Sequence, residues 1–343
     1  MTVSQRNGTT VVTGVNTTGY RIDRWTHQID SINSAFSVSQ STDTPDEFGN
    51  SYKIDVTTAD TSLAAAHAHF FRQKIEGQNL QDFAKGTSDA KQFAVSFYVK
   101  TNKTGLYTVE LYDIDNNRAI SKTFTVADSN WNRYTLIYPA DTTGAFGNDN
   151  GNSLVLQFWL SAGSNYTSGT LNTSAWAAAT QANRVSSSNV NLGDNTSNEW
   201  YLTGVQLEVG SHATDFEHLS VAEELRRCQR YFAKYSSIGS NYAQFLLTTG
   251  YSTDTDSRGM FHFVVEMRAA NPSFSYSGSS GNVSDFVDMG GKAINLFQIT
   301  NDGTGKNTGI RCIFSGSNTS AGFSHVIRAN NTANAFFAFD AEL

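Results

Sequence analysis

The chain has 343 residues and a net charge of −7, enough length for two buried cores and the wrong sign for a nucleic-acid partner. Charged residues make up only 16% of it, but 23 Phe, 14 Tyr and 5 Trp exclude a disordered chain. No apolar run reaches membrane-spanning length, and the polar segment 1–20 lacks a signal pattern, so the sequence predicts assembly in a cytoplasm without membrane insertion. Cys228 and Cys312 are too few and too far apart to suggest a metal site or a disulfide framework.

In chain order, residues 1–20 read as a polar arm. Tyr52, Ile54 and Val56 then open a series of period-two segments. Phe93, Val95, Phe97 and Val99 alternate with Ala94, Ser96, Tyr98 and Lys100. Two strand-like runs, Tyr107–Ile114 and Ile120–Val126, flank Asp115-Asn116-Asn117, which predicts a hairpin. Tyr134, Leu136 and Tyr138 follow. Leu154, Leu156, Phe158 and Leu160 alternate with Val155, Gln157, Trp159 and Ser161, and Val205, Leu207 and Val209 close the series. Many short strands with Gly, Asn and Asp turns predict an all-β, mainly antiparallel sandwich or barrel. Ser220-Val221-Ala222-Glu223 is a capping box, and Val221, Leu225, Cys228, Phe232 and Tyr235 recur at helical spacing, predicting an amphipathic helix over 219–235. Alternation returns in Phe261, Phe263, Val265 and Met267 and in Ile310, Cys312 and Phe314. The expected organisation is an arm (1–20), a first β-domain (21–218), the helix (219–235) and a smaller β-domain (236–343).

The segment Gly204-Val205-Gln206-Leu207-Glu208-Val209-Gly210, then Ala213-Thr214-Asp215-Phe216-Glu217-His218 and Glu223-Glu224-Leu225…Cys228-Gln229-Arg230-Tyr231-Phe232, resembles a family of phage tail-fibre and virion proteins. Arg72-Gln73-Lys74-Ile75-Glu76-Gly77 and Phe97-Tyr98-Val99-Lys100 are similar to it as well. The resemblance implies a jelly-roll domain like those of carbohydrate-binding modules, then a trimerising C-terminal β-domain. It implies a homotrimeric virion protein of tail-fibre or head-fibre type, whose partners are other virion proteins and host surface polysaccharide. It supplies no set of binding residues. Alternatives are a decoration protein without ligand and, less favoured, a polysaccharide depolymerase or esterase.

Signatures of chemistry are weak. His67-Ala68-His69 would set two imidazoles on one face, but no third or fourth metal ligand accompanies them. Asp113, Asp115 and Asn117 start like a calcium loop, then Arg118 stands where Gly is required and Phe124 where Glu is required, so a turn is the better reading. A structural calcium is compatible with the resemblance but has no assignable ligands, and no other cofactor is expected. No Gly-X-Ser-X-Gly elbow occurs, and Gly303-Thr304-Gly305-Lys306 lacks phosphate-loop spacing and reads as a turn. The chain is therefore expected to be non-enzymatic.

Alternation makes one concrete site. If Leu154, Leu156, Phe158 and Leu160 point inward, Gln157 and Trp159 point outward. Likewise Tyr98, Glu110 and Tyr112 point outward. These five would offer aromatic rings for the C–H faces of a sugar and an amide and a carboxylate for its hydroxyls. The stripe Val221, Leu225, Cys228, Phe232 and Tyr235 is too short for a coiled coil alone and would pack around a three-fold axis.

Overall fold

A computed structural model describes residues 1–237, 240–250, 255–279, 283–300, 305–315 and 324–343. The chain divides into two compact units, Met1–Val221 with Leu343, and Ala222–Glu342.

The first unit is an antiparallel sandwich of the jelly-roll kind. Its strands are β1 (Val12–Val15), β2 (Gly19–Ile22), β3 (Trp25–Asp30), β4 (Ala35–Ser41), β5 (Ser51–Thr58), β6 (Ala68–Glu76), β7 (Phe93–Thr101), β8 (Gly105–Asp113), β9 (Arg118–Val126), β10 (Asn132–Tyr138), β11 (Asn152–Ala162), β12 (Ala177–Ala178) and β13 (Glu199–Val209). One sheet runs β1-β4-β5-β13-β7-β10, the other β12-β9-β8-β11-β6-β3-β2. The alternating apolar residues face each other between the sheets. Phe97 meets Phe158 edge-on at 4.9 Å, and Tyr52 stacks on Phe71 at 4.7 Å. Leu154, Leu156, Phe158 and Leu160 are at most 1% exposed. Burial of such side chains is worth roughly 1.5–3 kcal/mol each and is the main stabilising term here.

The predicted hairpin forms. β8 and β9 pair from Gly105↔Val126 to Asp113↔Arg118, and Asn117 takes φ 50° in the turn, a conformation that suits Asn. The expected arm is not free. Val12 and Val15 pair with Val38 and Phe36, and Gly19 and Tyr20 with His27 and Thr26, so residues inside 1–20 close both sheets.

The second unit starts one residue into a helix, Val221–Gln229, and carries the strands β14 (Phe232–Ser236), β15 (Gln244–Gly250), β16 (Asp256–His262), β17 (Ser273–Tyr276), β18 (Phe286–Asp288), β19 (Ile294–Ile299), β20 (Asn307–Phe314), β21 (Ser324–Ala329) and β22 (Phe336–Asp340). Their sheets run β14-β22-β17 and β18-β21-β15-β16-β20-β19. The helix is shorter than the predicted 219–235. Phe232 and Tyr235 lie in β14, paired with Asp340 and Phe337 of the Phe-rich terminal strand. That pairing overrides the helical spacing, because an aromatic segment gains more by covering a core than by adding two exposed helical turns. The five-residue stripe is therefore not one helical face. Val221 is 63% exposed and Leu225 partly so, Tyr235 is half-buried, and Cys228 and Phe232 are buried at 8% and 6%. Of the predicted alternation at Phe261–Met267, only Phe261 lies in a strand. Gly303 and Thr304 of the predicted Gly-rich turn lie outside the described residues.

Candidate functional site

Gln157, Trp159, Glu110 and Tyr112 point outward from the seven-stranded sheet, as alternation requires. Gln157 pairs in register with Glu110, and Trp159 with Thr108. That face is nevertheless closed. The connection between β11 and β13 crosses it, leaving Trp159 and Glu110 at 0% exposure and Gln157 at 1%. Glu110 accepts from Gln157 Nε2 (2.8 Å), Trp159 Nε1 (2.9 Å) and the Arg184 guanidinium (2.8 and 3.0 Å). Arg184 spans the Tyr112 and Trp159 rings, and Phe70, Trp159 and Val185 form a small apolar cluster beneath. Burial opposes the guanidinium charge, but Glu110 outweighs it and lifts the Arg184 pKa above its ordinary value. The expected ligand face is thus an internal joint between the sheet and its covering segment. A ligand cannot reach Trp159, Gln157 or Glu110 in this conformation.

Tyr98 lies on the other sheet, apart from those four. It packs against Phe48 (5.2 Å between ring centroids), which also meets Phe216 and His218 at 5.0 Å. The site of this cluster is set by a β-bulge between Thr203 and Gln206. There Gly204 takes φ +59°, and a Cβ would lie 2.8 Å from the Phe48 ring and 2.9 Å from Tyr98. Beyond the bulge, Glu208 accepts from Thr214 N (2.9 Å), Thr214 Oγ1 (2.8 Å) and Gln206 Nε2 (3.0 Å), and Gln206 Oε1 accepts from Glu217 N (2.8 Å). The motif that carries the family resemblance therefore folds as a clasp, in which 213–218 returns over β13. Its Gln, Glu, Phe and His hold backbone and rings rather than projecting into a cleft.

What stays partly open on this face is the rim of a cross-strand row, whose central Tyr201 is itself only 5% exposed. Lys53, Tyr201 and Lys100 are in register on β5, β13 and β7, and Trp131 precedes β10 beside them. Lys53 and Lys100 set their ammonium groups 5.3 and 5.4 Å from the Tyr201 ring centre, with Trp131 edge-on at 6.0 Å. Asp43 fixes one end by accepting from Lys100 Nζ (2.6 Å) and Trp131 Nε1 (2.9 Å). Partial burial raises the Asp43 pKa, but those two bonds outweigh it and hold the carboxyl below its ordinary range. At the other end Lys53 bridges Asp55 (2.8 Å) and Glu199 (3.3 Å), which are direct cross-strand neighbours. Burial and the Glu199 bond push the Tyr201 hydroxyl up to about 12, although Lys53 pulls the other way. The row is a ledge with a half-buried indole and a set of charged donors and acceptors. Sequence reading missed it. Lys53, Lys100 and Tyr201 occupy the polar positions of alternating strands, but Trp131 and Asp43 sit in turns without periodicity.

The two histidines take separate partners. His67 Nδ1 lies 3.2 Å from Asp60 Oδ2, and His69 Nε2 lies 3.2 Å from His27 Nδ1 in the core. Among the described residues no group of three or more His, Cys, Asp or Glu is placed to hold a metal. No helix among them is long and apolar enough to cross a membrane. Asp113 caps the hairpin turn, accepting from Asn116 N at 3.1 Å, and pairs with Lys85.

No family model matches the chain, and no curated protein matches it. Among solved structures, the chain is similar to the enzymatically active domain of tailspike protein 4 of bacteriophage CBA120, at 15% identity over 55% of this chain and 19% of that one, with a TM-score of 0.31. The chain thus spans about a fifth of that tailspike chain. It is also similar to the family 11 carbohydrate-binding module of the cellulase Lic26A-Cel5E of Clostridium thermocellum, at 11% identity over 61% of this chain and 98% of that one, with a TM-score of 0.29. The C-terminal family 22 module of Clostridium thermocellum Xyn10B is 12% identical over 61% and 99%, with a TM-score of 0.30. At these values the likenesses assign no residue of this chain a role.

Proposed function

We propose that the chain is a non-catalytic virion protein of tail-fibre or head-fibre type, and that its first unit binds host surface glycan on the ledge of Lys53, Lys100 and Trp131, which Tyr201 supports from beneath. The virion reading rests on the sequence resemblance, carried by the clasp motif at 204–218 and the segment 223–232. The glycan reading rests on one observation: Trp131 is held by Asp43 and stays partly exposed, next to ammonium and carboxylate groups at the surface. A pyranose offers C–H faces to such a ring and hydroxyls to the charged rim.

The test is binding to host cells or a glycan panel. Trp131→Ala is expected to weaken binding at least tenfold, about 1.4 kcal/mol, while thermal stability stays near wild type. Tyr98→Ala is expected to change affinity less than twofold, because Tyr98 packs under Phe48. Wild-type affinity in Trp131→Ala would remove the ledge. Absence of binding by the wild type would favour the decoration reading, and release of reducing ends from host glycan would overturn the non-catalytic one.

A further inference from the structure

Lys85 is a lysine at 3% exposure, and its ammonium lies in a cage of oxygen atoms. Asp113 Oδ2 is 2.6 Å away, Gly144 O 2.7 Å, Thr143 O 2.9 Å and Asp141 Oδ2 3.1 Å. The rings of Phe146 and Trp176 face the same nitrogen at 5.1 and 5.3 Å. Two glycines let the loop wrap this closely. A Cβ on Gly86 would lie 2.3 Å from Ala145 N, and one on Gly144 2.5 Å from the Asn116 side chain. The walls come from distant parts of the chain: the end of β8, the 141–146 loop, and the segment after Phe83.

The charges of the cage add up. Asp113 and Asp141 carry two negative charges. Arg118 balances one of them through Asp141, with Nε at 2.8 Å and Nη2 at 2.9 Å. One positive charge is left to supply. A calcium ion would overshoot by one and would also seek six to eight oxygens, whereas two sides here are aromatic. An ammonium meets both conditions.

We propose that the Asp113, Asp141, Thr143 and Gly144 oxygens, with the Phe146 and Trp176 rings, form a monovalent site selective for an ammonium, which the chain fills with its own Lys85 and which accepts a free alkylammonium ion when that side chain is removed. The β8–β9 turn and the 141–146 loop are then organised without an exchangeable metal.

The test uses the full chain and its thermal unfolding. Wild type is expected to shift by less than about 1 °C with a chelator, with calcium or with propylammonium. Lys85→Ala removes three carbons and the nitrogen, the heavy atoms of propylammonium. It is expected to lose roughly 10 °C, since it strands the buried Asp113 carboxylate and takes one of two cationic partners from Asp141, and to recover half or more in propylammonium chloride but not in sodium chloride of equal ionic strength. Lys85→Met fills the stem without the charge, so it should be destabilised and unresponsive. Equal unfolding of Lys85→Ala in propylammonium and sodium chloride would overturn the site, as would wild-type stability of Lys85→Met. Stronger recovery in calcium would overturn its monovalent character. If Lys85→Ala does not fold, recovery of its circular dichroism in propylammonium alone supports the site, and failure in both salts counts against it.

Discussion

Trp159 points out of its sheet and still touches no solvent. Alternation fixes the parity of a side chain, which is why Gln157, Trp159 and Glu110 were legible as an outward set. Coverage is a tertiary property, and the covering stretch 163–190 has neither period nor pattern to announce where it will lie. The opposite case is His27 and His69, polar residues in the sandwich core. His27 Nε2 lies 2.6 Å from the Tyr52 hydroxyl, and its Nδ1 lies 3.2 Å from His69 Nε2. Burial drives both pKa values down, that of His69 to about 3, with His69 and Arg21 adding to the effect on His27. A folded-state pKa below the unfolded value of 6.5 gives stability that is complete above pH 6.5 and is lost as pH falls toward the folded value. At about pH 4.5, keeping His69 neutral costs about 2–3 kcal/mol relative to neutral pH, and His27 acts in the same direction. Thermal unfolding should therefore drop by about 5 °C or more between pH 7 and about pH 4.5. His69→Leu should remove about half of that slope. A wild-type melting temperature that is flat over this range would refute the neutral, buried pair.

Among the elements, strands β7, β8, β9 and β11 were legible because the alternation of apolar residues agrees with the turn residues between them, even where, as in β11, both faces end up buried. The helix after Val221 was legible at its start and not at its end, since the spacing of Cys228, Phe232 and Tyr235 fits a helix as well as it fits a strand pair plus a turn. Strand β13 holds the least visible feature. Its alternation breaks at a bulge, and the sequence marks it only by Gly204. Because that residue combines φ +59° with ring atoms at 2.8–2.9 Å, Gly204→Ala adds backbone strain to a steric conflict. The expected loss is about 2–3 kcal/mol in denaturant unfolding, with displacement of the Phe48–Tyr98–Phe216 cluster. The clasp explains why a recognisable motif need not line a site: its residues are specified by a tight return of the chain. A Gly204→Ala variant as stable as wild type would show that the clasp can shift at little cost.

At the scale of the whole molecule, the two cores share no residue. One apolar cluster runs from Val15 to Leu202, the other from Ala233 to Ala341. Each unit therefore has the means to fold alone, in line with independent domains of this length. The proposed roles divide the same way, with the glycan ledge in the first unit and homotrimer contacts assigned by the sequence resemblance to the second. Val221 and Leu225 stay at least partly exposed for such contacts, whereas Cys228 and Phe232 are buried. Light scattering at micromolar concentration is expected to give three chains per particle for the full sequence and one for a fragment ending at residue 221. That fragment should unfold cooperatively and keep single-site affinity for glycan, but bind cells at least about tenfold more weakly, because three linked ledges gain from effective concentration. A monomeric full chain would remove the trimer. A fragment that cannot fold would show instead that the first core, though complete in its contacts, depends on the remainder of the chain.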